Sequence, residues 1–329
     1  MIKKWIPVFA KNYLKSIYSW RNYGEFSKSV TRFIDHRGLQ VKRYILVPFF
    51  NLGNPRHYSR ERRLFRELKR DKWKSDYFKI DRKLGFAQIE FDQSDSDVCV
   101  SYAEQKLISS KGISKNPNDK EYLRSIADLG DLETDSSILK IFTSDRILES
   151  VSRYLGAAPI LADLVVLYSP ESENTEVSPI YKGSQLFHRD GDGLRVVKVW
   201  ILCRDVEIEN GPTVLVPSRI SDKIAMRHFY RPGDKIKNDK WFSRFEKDMF
   251  YAVGKKGTAL ATDTISCFHM GSRTGKKSSR LVLMAHYVTP YSGYFRPRSA
   301  LSFRNKFSIK DRNGALSSSA KILLRPYIK

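Results

Sequence analysis

The spacing of apolar positions divides the chain into two kinds of segment. Up to about residue 155 the recurrences are helical. Tyr13, Leu14, Ile17, Tyr18 and Trp20 form a rough helical stripe across Lys11 to Tyr23, with basic residues opposite. Ser59 to Trp73 predicts a second helix, densely basic and opened by Ser59 as a candidate cap. In both, the apolar face is read as packed on the domain rather than laid on a bilayer. From Ser94 to Asp135 the chain is polar and turn-rich, with a helix predicted around Tyr102 to Ile108. Ser137 to Leu155 reads as one amphipathic helix stopped at Gly156.

Beyond that point the period shortens. Ile160 to Tyr168, Leu194 to Cys203, Thr213 to Val216, Thr258 to Ala261 and Arg280 to Thr289 are short apolar or alternating runs. Turn signals bound them: Ser169-Pro170, Asn210-Gly211-Pro212, Gly254 with Gly257, and Gly271 with Gly275. Strands without regularly interleaved helices predict an antiparallel sandwich or barrel. The charged, aromatic-bearing stretch from Ser221 to Phe250 reads as helix and loop inserted between strands.

Composition narrows the class. The chain has 329 residues with 19 Phe, 17 Tyr and 5 Trp, which excludes wholesale disorder. Three widely spaced cysteines, Cys99, Cys203 and Cys267, make neither a disulfide framework nor a zinc pattern, and fit a reducing compartment. No apolar run approaches the roughly 18 residues of a membrane span, so a soluble, cytoplasmic protein is expected. The net charge of +23 is unevenly placed. Residues 1–85 hold 22 Lys and Arg against 7 Asp and Glu, and residues 296–329 hold 9 against 1. Between them, 86–295 is balanced at 28 each. The excess thus lies in two basic extensions flanking a neutral body, where it is either solvated surface or a contact for an anionic partner. Membrane headgroups come first among such partners and nucleic acid second.

The chemistry centres on histidine. Of six histidines, His188 stands in Phe187-His188-Arg189-Asp190. On a strand, residues i and i+2 face the same way, so His188 and Asp190 would present an imidazole and a carboxylate together. That pair is two-thirds of the two-histidine, one-carboxylate triad of non-haem Fe(II) sites. A surface His–Asp contact is the plain alternative for the triplet taken alone.

The downstream order adds to this reading. An aromatic-bearing strand (Leu194 to Leu202) is followed by Glu209-Asn210-Gly211-Pro212 leading to Val214-Leu215-Val216-Pro217. Then come a Gly257-led strand, His269-Met270-Gly271-Ser272, and Arg280 eleven residues past His269. Over about residues 155–290 this order resembles the phytanoyl-CoA dioxygenase-like (PhyH) family of Fe(II)/2-oxoglutarate-dependent oxygenases. The resemblance implies a mainly β fold with flanking helices: a double-stranded β-helix (jelly-roll, cupin-like) core and a helical N-terminal region. It implies His188, Asp190 and His269 as iron ligands, and Arg280 as the partner of the distal carboxylate of 2-oxoglutarate. Trp200 matches the aromatic that lines the cosubstrate pocket, with plain core packing as its alternative. The implied cofactors are Fe(II), 2-oxoglutarate as cosubstrate, and O2. The implied reaction oxidises a substrate C–H bond with release of succinate and CO2. Retention of Asp190, which related halogenases replace by a small residue, points to hydroxylation or a related oxidation.

Other residues receive plainer readings. His286 is taken as a core or pocket-wall histidine, Asp263 as the organiser of the turn before His269, and Cys267 as a buried structural thiol. The family's Pro-Gly-Ser-His after the Asn-Gly turn is replaced by Pro217-Ser218-Arg219-Ile220. The substrate is expected to be a small molecule, anionic or lipid-linked. Lys182, Arg189, Arg195, Lys198 and Arg273 would favour an anionic one wherever they face the cavity, and Arg189 should face away from its two neighbours. Two other functions stay open: a metal-binding β-barrel acting as a binding module, and an oxygenase held on nucleic acid by its basic ends.

Overall fold

The computed structural model describes residues 55–72, 77–110, 121–129, 132, 136–172, 181–191, 195–230, 233–237, 239–276, 278–290 and 316–328. The helix expected over 11–23 and residues 296–315 of the basic C-terminal segment lie outside them. Among the described residues, no helix is long and apolar enough to cross a membrane.

The first described element is helix α1 (Pro55–Lys72). Leu68 is buried, with Leu64 and Phe65 packed against the same core, while Arg56, Arg60, Arg62, Arg63 and Arg66 are exposed. Strand β1 (Phe86–Ile89) precedes helix α2 (Gln93–Ser109), which is longer than the helix expected over 102–108. Its buried stripe is Ser96, Cys99, Ala103 and Leu107. The spacing is helical, yet three of these four side chains are too small or polar to register as a hydrophobic period. Strand β2 (Arg124–Ala127) follows.

The single helix expected over 137–155 is two, α3 (Ser137–Phe142) and α4 (Asp145–Leu155). Thr143 turns its hydroxyl back onto the Leu139 carbonyl at 2.7 Å, and Ser144 adopts extended backbone as the cap of the next helix. Gly156 ends α4 in the left-handed conformation at φ 68°.

The later elements are β3 (Ile160–Ser169), β4 (Val196–Leu202), β5 (Val214–Leu215) and helix α5 (Ser218–Arg227). Next come β6 (Phe250–Tyr251), β7 (Ala259–Thr262), β8 (His269–Met270), β9 (Arg280–Val288) and helix α6 (Ser318–Leu324). Pro217-Ser218-Arg219-Ile220 leads into α5, with Pro217 as its cap residue. Its first two amides donate to the carbonyls of Leu84 and Lys83.

The strands form two antiparallel sheets. The larger has the order β1-β7-β4-β9-β3-β2 and the smaller β6-β5-β8. From β3 onward the chain enters the large sheet at β3, β4, β7 and β9, and the small sheet at β5, β6 and β8. Side-chain alternation decides what each face of the large sheet does. On β9, Leu281, Leu283, Ala285 and Tyr287 join the main core beneath α2, α3 and α4, together with Val197, Val199 and Ile201 of β4 and Ala259 and Ala261 of β7. The opposite set faces the small sheet: Arg280, Val282, Met284 and His286 on β9, Lys198, Trp200 and Leu202 on β4, and Leu260 and Thr262 on β7. One face is therefore a dry helix-covered core, and the other the inner wall of the site.

Residues 316–328 belong to that core. Leu323 and Leu324 are fully buried, each worth about 1.5–3 kcal/mol as a buried aliphatic side chain. Arg325 joins the segment to α1: its Nη2 lies 2.6 Å from Oε2 of the buried Glu61, and its guanidinium also donates to the carbonyls of Ala158 and Pro159.

Candidate metal centre

His188 is not on a regular strand, as its alternation suggested. It lies in an extended segment tied to the small sheet by one antiparallel bridge to His269. The two residues exchange backbone hydrogen bonds of 3.0 and 2.9 Å. Bridge partners share a face, and the two imidazole centroids stand 4.2 Å apart. Asp190 brings Oδ1 to 3.6 Å from His188 Nε2 and 3.7 Å from His269 Nε2. The three donor atoms lie within 4.8 Å of one another, the one such cluster of metal-binding side chains among the described residues.

Backbone carbonyls fix the ring orientations. His188 Nδ1 lies 2.9 Å from the Leu186 carbonyl, and His269 Nδ1 lies 3.3 Å from that of Cys267. A carbonyl only accepts, so each Nδ1 carries the hydrogen and each Nε2 lone pair faces Asp190. Burial, followed by the neighbouring His269, pushes the His188 pKa down to about 2. Burial also pushes His269 down to about 4, against the opposing pull of Asp190. For Asp190 burial acts to raise the pKa, but the Lys198 ammonium heads the groups that hold the carboxyl well below the usual carboxylate range. At neutral pH the cluster is two neutral imidazoles and one carboxylate, which is the protonation state a divalent ion requires.

The second oxygen of Asp190 is fully occupied. Lys198 Nζ donates to Oδ2 at 2.7 Å and Thr264 Oγ1 at 2.6 Å. The Asp190 amide donates to the Thr264 carbonyl at 3.1 Å. Sequence reasoning noted Lys198 only as a cation near the site and did not note Thr264. The usable signal was the even offset of Lys198 from Trp200 on a strand.

Arg280, the first residue of β9, is 4% exposed. Its Nη1 donates to Thr213 Oγ1 at 3.2 Å and its Nη2 to Ser272 Oγ at 2.9 Å. Ser272 is braced in turn by Ser169, the register partner of Arg280 on β3. Among the described residues no carboxylate pairs with this guanidinium, and its Nε is buried without a partner. Burial lowers its pKa to about 10. Gly271, two residues beyond His269, makes the close approach possible: a Cβ there would stand 3.3 Å from Nη1.

Trp200 donates from Nε1 to Thr262 Oγ1 at 2.9 Å. With Thr213, Leu260, Phe250 and Val282 it lines a narrow, largely apolar cleft, and Thr213 joins that cleft to the Arg280 cradle. His286 lies opposite Lys198 in the β4–β9 register, and burial, then Lys198, lowers its pKa to about 3. Asp263 accepts from the amides of Ile265 and Ser266 and from Tyr154 Oη, so it orders the turn before His269. Cys267 is fully buried and directs its thiol to the Leu84 carbonyl.

The other flagged cations have partners away from the triad. Arg189 faces away from its neighbours, fully buried, with Nη2 on Asp222 at 2.8 Å and on the Ser266 carbonyl. Lys182 meets Glu121 at the surface, Arg195 reaches the Tyr154 carbonyl, and Arg273 holds the Gln185 carbonyl and Asp239. Lys235, which sequence reasoning passed over, is nearer the chemistry. Ile236 bridges Phe187 and both side chains enter one apolar cluster, so the exposed Lys235 is set on the face that His188 takes. Its charge is felt by both His188 and His269.

No protein-family model matches this chain, and no curated protein matches it. Among solved structures, the chain is similar to apo EctD from S. alaskensis, at 16% identity over 63% of this chain and 74% of that one, with a TM-score of 0.44. AviO1 from Streptomyces viridochromogenes Tue57 aligns at 13% identity over 64% and 91%, with a TM-score of 0.43. SnoN, a non-heme alpha ketoglutarate dependent epimerase from nogalamycin biosynthesis, aligns at 15% identity over 69% and 84%, also at 0.43. These scores are too low to establish a fold, which rests instead on the strand pairings above.

Proposed function

We propose that the protein is an Fe(II)- and 2-oxoglutarate-dependent dioxygenase that hydroxylates or otherwise oxidises a C–H bond of a small anionic molecule, releasing succinate and CO2. Its two sheets are read as a double-stranded β-helix, with the His188 segment as the fourth strand of the small sheet. His188, Asp190 and His269 would hold the iron, Arg280 would take the distal carboxylate of the cosubstrate, and Trp200 would wall its pocket. The bound metal supplies redox chemistry with O2 that no side chain of this protein can perform.

The chain's own groups do the rest. The two carbonyl-anchored imidazoles and Asp190 Oδ1 offer three donors without prior loss of a proton. Arg280 waits as a fixed cation whose planar fork suits a carboxylate. Its own burial keeps most water from competing for that fork. Lys235 on the rim supports the choice of an anionic substrate.

The observation that carries the reading is Arg280, a buried guanidinium held by two hydroxyls and lacking any carboxylate among the described residues. A binding module has no need of it. The test is anaerobic titration of the apo-protein with Fe(II) and 2-oxoglutarate, followed by visible absorbance. A metal-to-ligand charge-transfer band is expected. Iron binding without a band would leave a metal-binding barrel that does not use 2-oxoglutarate, and no iron binding would remove the metal centre itself.

A further inference from the structure

Lys198 is unusual in its position: an ammonium inside the sheet pair, only 14% exposed, resting on a candidate metal ligand. We propose that Lys198, with Thr264, is a positioning residue that keeps Asp190 a one-oxygen ligand and keeps the site selective for an anionic co-ligand. The inference rests on the metal-centre reading above.

The argument starts from the carboxylate. An Asp can bind a metal through one oxygen or chelate it through both. Here Oδ1 faces the two Nε2 atoms, while Oδ2 accepts from Lys198 Nζ at 2.7 Å and Thr264 Oγ1 at 2.6 Å. Two donors saturate the two lone pairs of Oδ2, which leaves Oδ1 alone for an ion. Among the described residues the site then offers three donor atoms and no fourth, so the remaining positions stay open for exogenous ligands.

Charge follows the same geometry. Lys198 neutralises Asp190, so a divalent ion placed among the three donors would keep its full charge for an incoming anion instead of losing half of it to the ligand set. The strand register holds the lysine in place: Lys198 lies between Thr262 of β7 and His286 of β9, and its Nζ stands 6.0 Å from the Trp200 ring centroid. His286 is neutral, so Asp190 is the group that anchors the ammonium. A lysine serving merely to fill space would not direct its charge at the outer oxygen of a ligand.

The test compares wild type, Lys198→Met, Lys198→Arg and Thr264→Val, first with Co(II) alone and then with Co(II) and 2-oxoglutarate, by calorimetry and visible absorbance. Lys198→Met keeps the length of the stem and removes the charge. It is expected to bind Co(II) at least as tightly as wild type, with an altered d–d spectrum as Oδ2 joins the ion. Its affinity for 2-oxoglutarate should fall by about 10-fold or more, the range seen for outer-shell partners. Lys198→Arg should restore both the spectrum and the affinity. Thr264→Val, which leaves the charge and the fold's ion pair intact, should change the spectrum but spare most of the 2-oxoglutarate affinity, and it decides the matter if Lys198→Met does not fold. An unchanged spectrum and unchanged 2-oxoglutarate affinity in Lys198→Met would overturn the proposal. If wild type binds Co(II) but not 2-oxoglutarate, the oxygenase reading fails. The Co(II) spectra of the variants then still decide the role of Lys198.

Discussion

Replacing Arg280 by Met should make the empty protein more stable and the loaded one less so. The guanidinium is buried, and burial alone lowers its pKa from 12.5 to about 10. At 1.36 kcal/mol per unit, that shift is a destabilisation of about 3 kcal/mol carried by the folded state. A base whose folded pKa lies below its unfolded value weakens the fold wherever it is protonated, so the cost is complete at neutral pH and fades only above about pH 10. Methionine removes it. The change also deletes the bonds to Thr213 and Ser272, worth about 1–2 kcal/mol together, since Ser272 keeps Ser169. A net gain of about 1–2 kcal/mol remains. For 329 residues this amounts to a rise in Tm of about 2 °C. The assay is a thermal melt at pH 7.5, with and without Mn(II) and 2-oxoglutarate. Above the shift due to Mn(II), wild type should gain about 4 °C from 2-oxoglutarate at near 100 times its Kd, equivalent to about 2.7 kcal/mol. The variant should forfeit that gain, so the two melting curves exchange order. A variant that melts lower than wild type without ligand would refute the idea of a guanidinium kept waiting at a cost. One that retains the full 2-oxoglutarate shift would refute its role as anchor.

Two further outcomes follow from the buried groups. His188, His269 and His286 are held at about 2, 4 and 3 by burial, so the unfolded chain binds protons first as the pH falls below 6.5. Urea unfolding of the apo-protein should show these three together removing about 4 kcal/mol between pH 7.5 and 5.5, and a stability independent of pH over that interval would contradict their burial. Gly211 adopts φ 63°, and a Cβ there would stand 2.5 Å from the backbone of Arg273; Gly211→Ala should therefore cost at least about 2 kcal/mol, and a melting temperature equal to wild type would show that the turn is free to move.

Much of the C-terminal half was legible in the sequence because its strands are long enough to show their period. The nine buried residues of β9 and the ten-residue β3 lie close to the predicted runs. β1 and β2 escaped because four-residue strands bearing Gln88 and Arg124 display no clear alternation. α2 escaped because it buries serine, cysteine and alanine instead of leucine. The split between α3 and α4 depends on a hydroxyl bond from Thr143 that no propensity anticipates. At the site, the order of His188, Asp190, His269 and Arg280 was readable, and the structure brings the first three together. The carboxylate's outer shell was not readable, since Lys198 and Thr264 meet Asp190 only through the pairing of distant strands. The same holds for Ser169, Thr213 and Ser272, ordinary hydroxyl residues made significant by the guanidinium they surround.

The way residues 316–328 close over β3 and α4 has a consequence for biosynthesis. A chain emerging from the ribosome can pair β3 with β9 as soon as β9 is out, but the surface later covered by Leu323 and Leu324 stays wet until the segment after residue 315 has been made. The Glu61 carboxylate, 2% exposed in the finished fold, likewise has no Arg325 until then. The nascent protein thus passes through an interval with an open apolar seam and with Glu61 of α1 still lacking its Arg325 contact, the condition in which newly made chains aggregate or engage chaperones.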